Sequence, residues 1–293
     1  MNEAALTPTT PPPDPNPRKP RFTPPALSCD SHFHVFGPHA RFPFAPERPF
    51  TPHDAPKEAL LALHKFLGFT RGVFVHSTCH GSDPAALLDL LAATGGRYRG
   101  VALLKPTTAP QEVARLAAAG VCGVRLHFTA HLGPYPPRED IQAVLRLVAP
   151  HGFHVEVHVF GKDLLANLDL IGEIDAKVVI DHIGRVDIRE GADGKAFVAL
   201  RRLIDRGNIW VKLSGTDRVS AGPPPFRDAV ALARILAEQA PERILWGTDW
   251  PHPNVRLMPN DGDLVDLIPE IAPDANTRQR MLVDNPAEFF GFK

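Results

Sequence analysis

Eight short apolar runs recur along this chain, each followed by a stretch of helical periodicity, and that alternation limits the fold more than any other feature. The runs are Cys29–Phe36, Arg71–Thr78, Arg99–Leu104, Gly123–Phe128, Phe153–Val159, Lys177–Ile183, Ile209–Ser214 and Arg243–Thr248. Their apolar residues run on without alternating, which marks strands of a parallel sheet covered on its outer side. Helical patterns fall at Pro56–Leu67, Pro84–Ala93, Pro110–Ala119, Glu139–Ala149, Lys162–Ile174, Lys195–Asp205 and Phe226–Ala240, with a closing helix at Thr277–Phe290. Several open on proline and stop at Gly68, Gly95 or Gly120, the usual punctuation of helices. Eight such units close most economically into an α/β fold, the (β/α)8 TIM barrel, and 293 residues suit one domain of that kind. An open doubly wound sheet is the alternative. It is disfavoured because no Gly-x-Gly-x-x-Gly follows the first strand.

Proline is the compositional outlier, at 32 residues, and much of it lies between Pro8 and Pro25. A polar, proline-rich stretch favours extended, solvated chain over a packed element. Residues 1–26 therefore read as a flexible arm, and residues 27–293 as the catalytic domain. The net charge of -1 offers no electrostatic ground for a nucleic-acid or membrane partner. No apolar run is long enough to span a bilayer, and the N-terminus lacks the basic and apolar regions of a signal peptide. The three cysteines, Cys29, Cys79 and Cys122, are scattered and odd in number, which fits a reducing cytoplasm better than a disulfide framework.

In a barrel, chemistry gathers at the C-terminal strand ends. The polar residues fall there. The first strand ends in His32 and His34, which share a face because alternate strand residues project together. Thr78, Cys79 and His80 end the second, Arg125 and His127 the fourth, with His131 in the loop beyond. The fifth carries His154, Glu156 and His158, the sixth Asp181 and His182, the seventh leads to Asp217 and Arg218, and the eighth to Asp249 and His252. Two imidazoles facing a carboxylate can ligate a metal or polarise a carbonyl while the carboxylate takes a proton from water. Of Asp181 and His182, strand parity lets one point inward, and His182 is the choice. Glu156 shares parity with His154 and His158, which makes it either a third inward group or a partner for a neighbouring strand. Arg125 and Arg218 suit bidentate recognition of a carboxylate. His76 and His127 read as structural, and Cys79 beside His80 makes no nucleophilic dyad by adjacency alone.

Several segments together resemble the amidohydrolase superfamily, in the branch that contains 2-pyrone-4,6-dicarboxylate lactonase. They are Asp30-Ser31-His32-Phe33-His34-Val35-Phe36-Gly37-Pro38, Phe50-Thr51-Pro52-His53-Asp54-Ala55-Pro56, Gly123-Val124-Arg125, Asp181-His182-Ile183-Gly184-Arg185 and Leu245-Trp246-Gly247-Thr248-Asp249-Trp250-Pro251-His252-Pro253-Asn254. The resemblance implies that His32, His34 and His182 polarise a scissile lactone carbonyl and that Asp249 activates water. It implies that Arg125 and Arg218 hold substrate carboxylates, with Thr78 where the relative uses serine. Three positions depart from the pattern: Phe50 and His158 stand for tyrosines and His131 for an arginine. These changes imply a lactone decorated differently from the pyrone dicarboxylate. The resemblance also implies catalysis without a metal cofactor. The alternative is a single zinc ion held by His32, His34, His158 and Asp249. The expected activity is hydrolysis of a small carboxylated lactone, with lactone isomerisation of an aldaric acid and zinc-dependent decarboxylation as rivals.

Overall fold

A computed structural model describes residues 7–129, 132 and 135–293. Eight parallel strands follow one another in sequence order around one sheet. They are β1 (Cys29–Phe33), β2 (Arg71–Val75), β3 (Tyr98–Ala102), β4 (Val121–Phe128), β5 (His154–Val159), β6 (Val178–Ile180), β7 (Ile209–Lys212) and β8 (Ile244–Leu245). The helices between them are α1 (Lys57–Leu67), α2 (Ala85–Thr94), α3 (Pro110–Ala118), α4 (Arg138–Val148), α5 (Gly161–Ala166), α6 (Leu168–Gly172), α7 (Lys195–Ile204), α8 (Thr216–Val219) and α9 (Val230–Gln239). Four more, α10 (Asp261–Asp266), α11 (Ile268–Ile271), α12 (Ala275–Gln279) and α13 (Asn285–Phe290), follow β8. The expected (β/α)8 barrel is the fold. No helix of the described residues is long and apolar enough to cross a membrane.

The seam between β8 and β1 closes through backbone hydrogen bonds rather than a long ladder. Ser31 N donates to Trp246 O at 2.8 Å, and Asp249 N to His32 O at 2.7 Å. The two backbones pass so closely at Gly247 that a β-carbon there would lie 2.5 Å from His32 N, so only glycine fits. Asp30, fully buried, staples the same seam: it accepts from His32 N, Thr248 N and Thr248 Oγ1 at 3.1, 3.0 and 2.5 Å. His64 Nε2 of α1 reaches Asp30 Oδ2, the oxygen that also takes the Thr248 hydroxyl, at 3.1 Å, and His64 Nδ1 meets the Tyr98 hydroxyl at 2.6 Å.

The barrel interior is layered. Strand register sets Gly123 beside His154, Arg125 beside Glu156 and His127 beside His158, so each pair occupies one level of the lumen. Below lie valines of β2, β3 and β6, closed off by Phe289, Phe290 and Phe292. The second apolar layer lies between strands and helices.

Two expected helices are interrupted. The one expected at Lys162–Ile174 divides at Asn167, whose side chain donates to Asp163 O at 2.7 Å in place of continuing the helix. The closing helix widens into a π turn over Arg280–Asp284. The sequence reading also left out α10, which starts where Asn260 Oδ1 accepts from Gly262 N at 3.1 Å. Its acidic residues hold the proline-rich segment: Arg18 reaches Asp263 and Asp266, and Arg21 N donates to Asp266 Oδ1 at 2.7 Å. Thr9 N reaches Thr51 O at 2.8 Å.

Candidate active site

Because the seam joins β1 directly to the end of β8, the early imidazole pair and the late carboxylate meet at one rim. Asp249 Oδ1 lies 3.3 Å from His34 Nε2 and 3.6 Å from His32 Nε2, and Asp249 Oδ2 lies 3.9 Å from His182 Nε2. All four side chains are buried. Asp249 and His182 sit at φ 65° and 52°, left-handed conformations that non-glycine residues adopt at a cost and that are enriched at functional sites.

That conformation corrects the expected choice between Asp181 and His182. The strand ends at Ile180, so parity no longer applies, and both side chains turn into the lumen. Asp181 lies 3.3 Å from His32 Nδ1, while His182 Nδ1 pairs with Ser214 Oγ at 3.0 Å.

A small cavity of about 40 Å³ lies over these groups, lined in part by His34, Phe50, Thr78, Arg125, His158 and His182. Arg218 and Asp249 also line it, and His32 lies directly beneath Asp249. His131 lies outside the described residues. His127, read as structural, lines the cavity as well, with its Nδ1 at 3.3 Å from His158 Nδ1. Cys79 is a buried thiol pushed up to about 12 by burial, which suits no nucleophile.

Both arginines are tied to protein carboxylates. Arg218 grips Asp249 Oδ2 at 2.6 and 2.7 Å, and Arg125 contacts Asp181 at 2.8 Å and Glu156 at 3.3 Å. Arg185 differs. Its Nε has no hydrogen-bond partner, and its guanidinium lies over the Phe160 ring at 4.1 Å. With Arg218 it forms the wall between the cavity and a basic groove of about 640 Å³ that carries Lys162, Arg189, Lys195 and Arg256.

The sequence reading missed two residues here. Arg185 closes the Asp-His-x-Gly-Arg segment and could have been noticed there. Lys212 had no such signal. It ends β7 wholly buried, touching Glu156 and lying 3.0 Å from His32 Nδ1.

The electrostatics follow from burial and these pairs. Burial would raise Asp249, but chiefly Arg218, then His182 and His34, hold it well below the usual carboxylate range. Asp181 is likewise held low, since Lys212, His32 and Arg125 outweigh its burial. Burial, reinforced by the Asp181 charge, pushes Glu156 up to about 7. Burial also depresses His32, His34 and His158, and carries His182, His76 and His154 down to about 3. An unfolded chain binds protons at these histidines below about pH 6.5, where the folded one refuses them. Their stabilisation is therefore complete above about 6.5 and is lost as pH falls toward 3. His252, raised by Asp261 against its burial, and Glu156 and Asp217, raised by theirs, have the opposite sign but are fewer than the six histidines. Urea midpoints are expected to fall steadily between about pH 7 and pH 5. A midpoint flat over that interval would contradict the neutral buried imidazoles.

Three sets of described residues bring ligand atoms within 4.8 Å of one another, close enough to hold a metal ion: His32–His34–Asp249, His32–Asp181–His182 and Asp217–Asp249–His252. His158 is in none of them. The first set makes up three of the four residues of the single-zinc alternative, without His158. A guanidinium covers Asp249 Oδ2 and an ammonium stands against the far nitrogen of His32, so two fixed positive charges lie beside this set, while His32 Nε2 and Asp249 Oδ1 within it have no hydrogen-bond partner.

A family model described as amidohydrolase matches residues 29–292. The chain is 43% identical over 285 residues to 2-pyrone-4,6-dicarboxylate hydrolase of Comamonas testosteroni, which spans 94% of this chain and 93% of that protein. It is 37% identical over 275 residues to 4-sulfomuconolactone hydrolase of Hydrogenophaga intermedia, covering 92% and 91%. To D-galactarolactone isomerase of Agrobacterium fabrum it is 32% identical over 281 residues, covering 94% and 93%. A barrel whose seam joins a His-x-His pair to a late aspartate, matched from residue 29 to residue 292, leads to one assignment: the chain belongs to the amidohydrolase family.

Proposed function

We propose that this protein hydrolyses a small carboxylated lactone at the barrel mouth, without a metal cofactor. The reading rests above all on Asp249, which stands 3.3 Å from His34 and 3.6 Å from His32 with two arginines beside it. Asp249 takes a proton from water, and the water attacks the lactone carbonyl. An imidazole N–H aimed at the carbonyl stabilises the developing oxyanion, each well-placed donor lowering the barrier by about 3 kcal/mol. Asp249 then returns the proton to the leaving oxygen. Lactones of the pyrone-dicarboxylate, muconolactone and aldaric-acid types all carry a free carboxylate as well as a ring ester carbonyl. The phenyl ring of Phe50 and the imidazole of His158 favour one decorated differently from the pyrone dicarboxylate.

Arg218 links binding to chemistry in this reading. While it grips Asp249, the carboxylate is a weak base. A substrate carboxylate that draws the guanidinium away raises the proton affinity of Asp249 as the lactone arrives. Arg218→Met is expected to raise KM about 10-fold or more and to move the acid limb of the kcat/KM profile upward in pH. An acid limb left in place would dissociate Arg218 from the base.

A second reading is favoured by the galactarolactone isomerase relative: intramolecular migration of a lactone, with Asp249 activating a substrate hydroxyl. Turnover in ¹⁸O-labelled water separates the two. Hydrolysis places one label in the product carboxylate, and migration places none. Full activity after exhaustive chelation is expected in either case and would sink a zinc-dependent decarboxylase.

A further inference from the structure

Lys212 ends β7 inside the barrel, under the floor of the site, with no exposed surface. Its ammonium touches Glu156, stands 3.4 Å from Asp181 Oδ1 and lies 3.0 Å from His32 Nδ1. A lysine ammonium has three donors and no acceptor, so at the last contact the ring nitrogen must accept. The competing carboxylate oxygens, Asp181 Oδ1 at 3.3 Å and Glu156 Oε1 at 3.6 Å, lie farther from that nitrogen than the ammonium does, and each faces a cation, Lys212 at 3.4 Å and Arg125 at 3.3 Å. The neutral ring then carries its proton on Nε2, which is buried without a hydrogen-bond partner beside Asp249. His34 is held the other way. Its Nδ1 lies 2.7 Å from the Val75 carbonyl, which can only accept, so the proton sits on Nδ1.

We propose that Lys212 is a positioning residue that holds His32 as its Nε2–H tautomer, opposite to His34. The two histidines of the pair then do different work. His32 presents an N–H, without a partner in the free enzyme, to the carbonyl oxygen that becomes negative. His34 presents a lone pair toward Asp249, where it shares the proton drawn from water. This assignment rests on the lactone reading for its consequence, and on geometry alone for the tautomer.

The test uses full-length protein labelled with ¹⁵N-histidine, in which two-bond ¹H–¹⁵N correlations distinguish a protonated ring nitrogen from a bare one. The His32 signals are identified by their loss in His32→Gln. In the wild type His32 is expected to be protonated at Nε2 and His34, an internal reference, at Nδ1. Lys212→Met combined with Glu156→Gln removes the ammonium and its partner together, which avoids stranding a buried charge. In that variant the His32 proton is expected to move to Nδ1, toward Asp181, with kcat about 10²-fold lower and KM little changed. Lys212→Arg, which keeps a donor, is expected to keep the wild-type tautomer. A wild-type spectrum with His32 protonated at Nδ1 overturns the proposal whether or not the double variant folds. So does a folded double variant that loses kcat with the tautomer unchanged. The spectra need no substrate, so a wrong lactone assignment would leave the tautomer result standing.

Discussion

Asp249→Asn is expected to lower kcat about 10³-fold while the protein stays folded. Asparagine matches aspartate in volume and keeps one carbonyl oxygen, so Asp249 N can still donate to His32 O at 2.7 Å and the seam stays closed. What it lacks is a site for the proton of the attacking water, since His34 Nε2 and His32 Nε2 would face an amide in place of a charge. Arg218 loses its closest ionic partner in the variant and keeps Asp217 at 3.6 Å. A carboxylated inhibitor should therefore bind at least as tightly as to the wild type, because the guanidinium is no longer shared with Asp249. Steady-state turnover, inhibitor titration and a melting curve on one preparation check all three statements. Activity within about tenfold of wild type would remove Asp249 as the base.

How much of this was legible in the chain varied with the physics involved. The barrel was, because eight buried strands with helices between them leave few other solutions, and strand parity alone put His32 and His34 on one face. The meeting of that pair with Asp249 followed from the eighth strand lying next to the first. Parity failed at Asp181 and His182 because it holds only while the backbone stays extended, and here the strand ends at Ile180 and turns left-handed. Lys212 was illegible for a different reason. A lysine in an apolar run reads as an outward residue, and only tertiary structure brings the two carboxylates and the imidazole that make its burial tolerable. The breaks at Asn167 and Arg280–Asp284 likewise depend on side-chain back-bonding and packing that periodicity does not carry.

Asp30→Ala is expected to be the most destabilising single change near the site, by about 4 kcal/mol, or a fall of roughly 10 °C in Tm. The carboxylate lies fully buried at the seam, where the barrel is held by few strand hydrogen bonds. Alanine would leave His32 N, Thr248 N, the Thr248 hydroxyl and His64 Nε2 without their acceptor, in a space too tight at Gly247 for easy repacking. Each orphaned buried group costs about 1–3 kcal/mol, and partial relaxation brings the sum below simple addition. Activity should fall as well, about 10²-fold in kcat, because the same staple sets the spacing between His32 and Asp249. Asp30→Asn keeps an acceptor for the two amides and should sit between wild type and alanine on both measures. It also keeps the comparison available if the alanine variant does not accumulate. A melting temperature within about 2 °C of wild type in the alanine variant would mean that the seam is held by its backbone bonds alone. The convergence of the two ends of the chain would then owe nothing to the residue that opens the His-x-His segment.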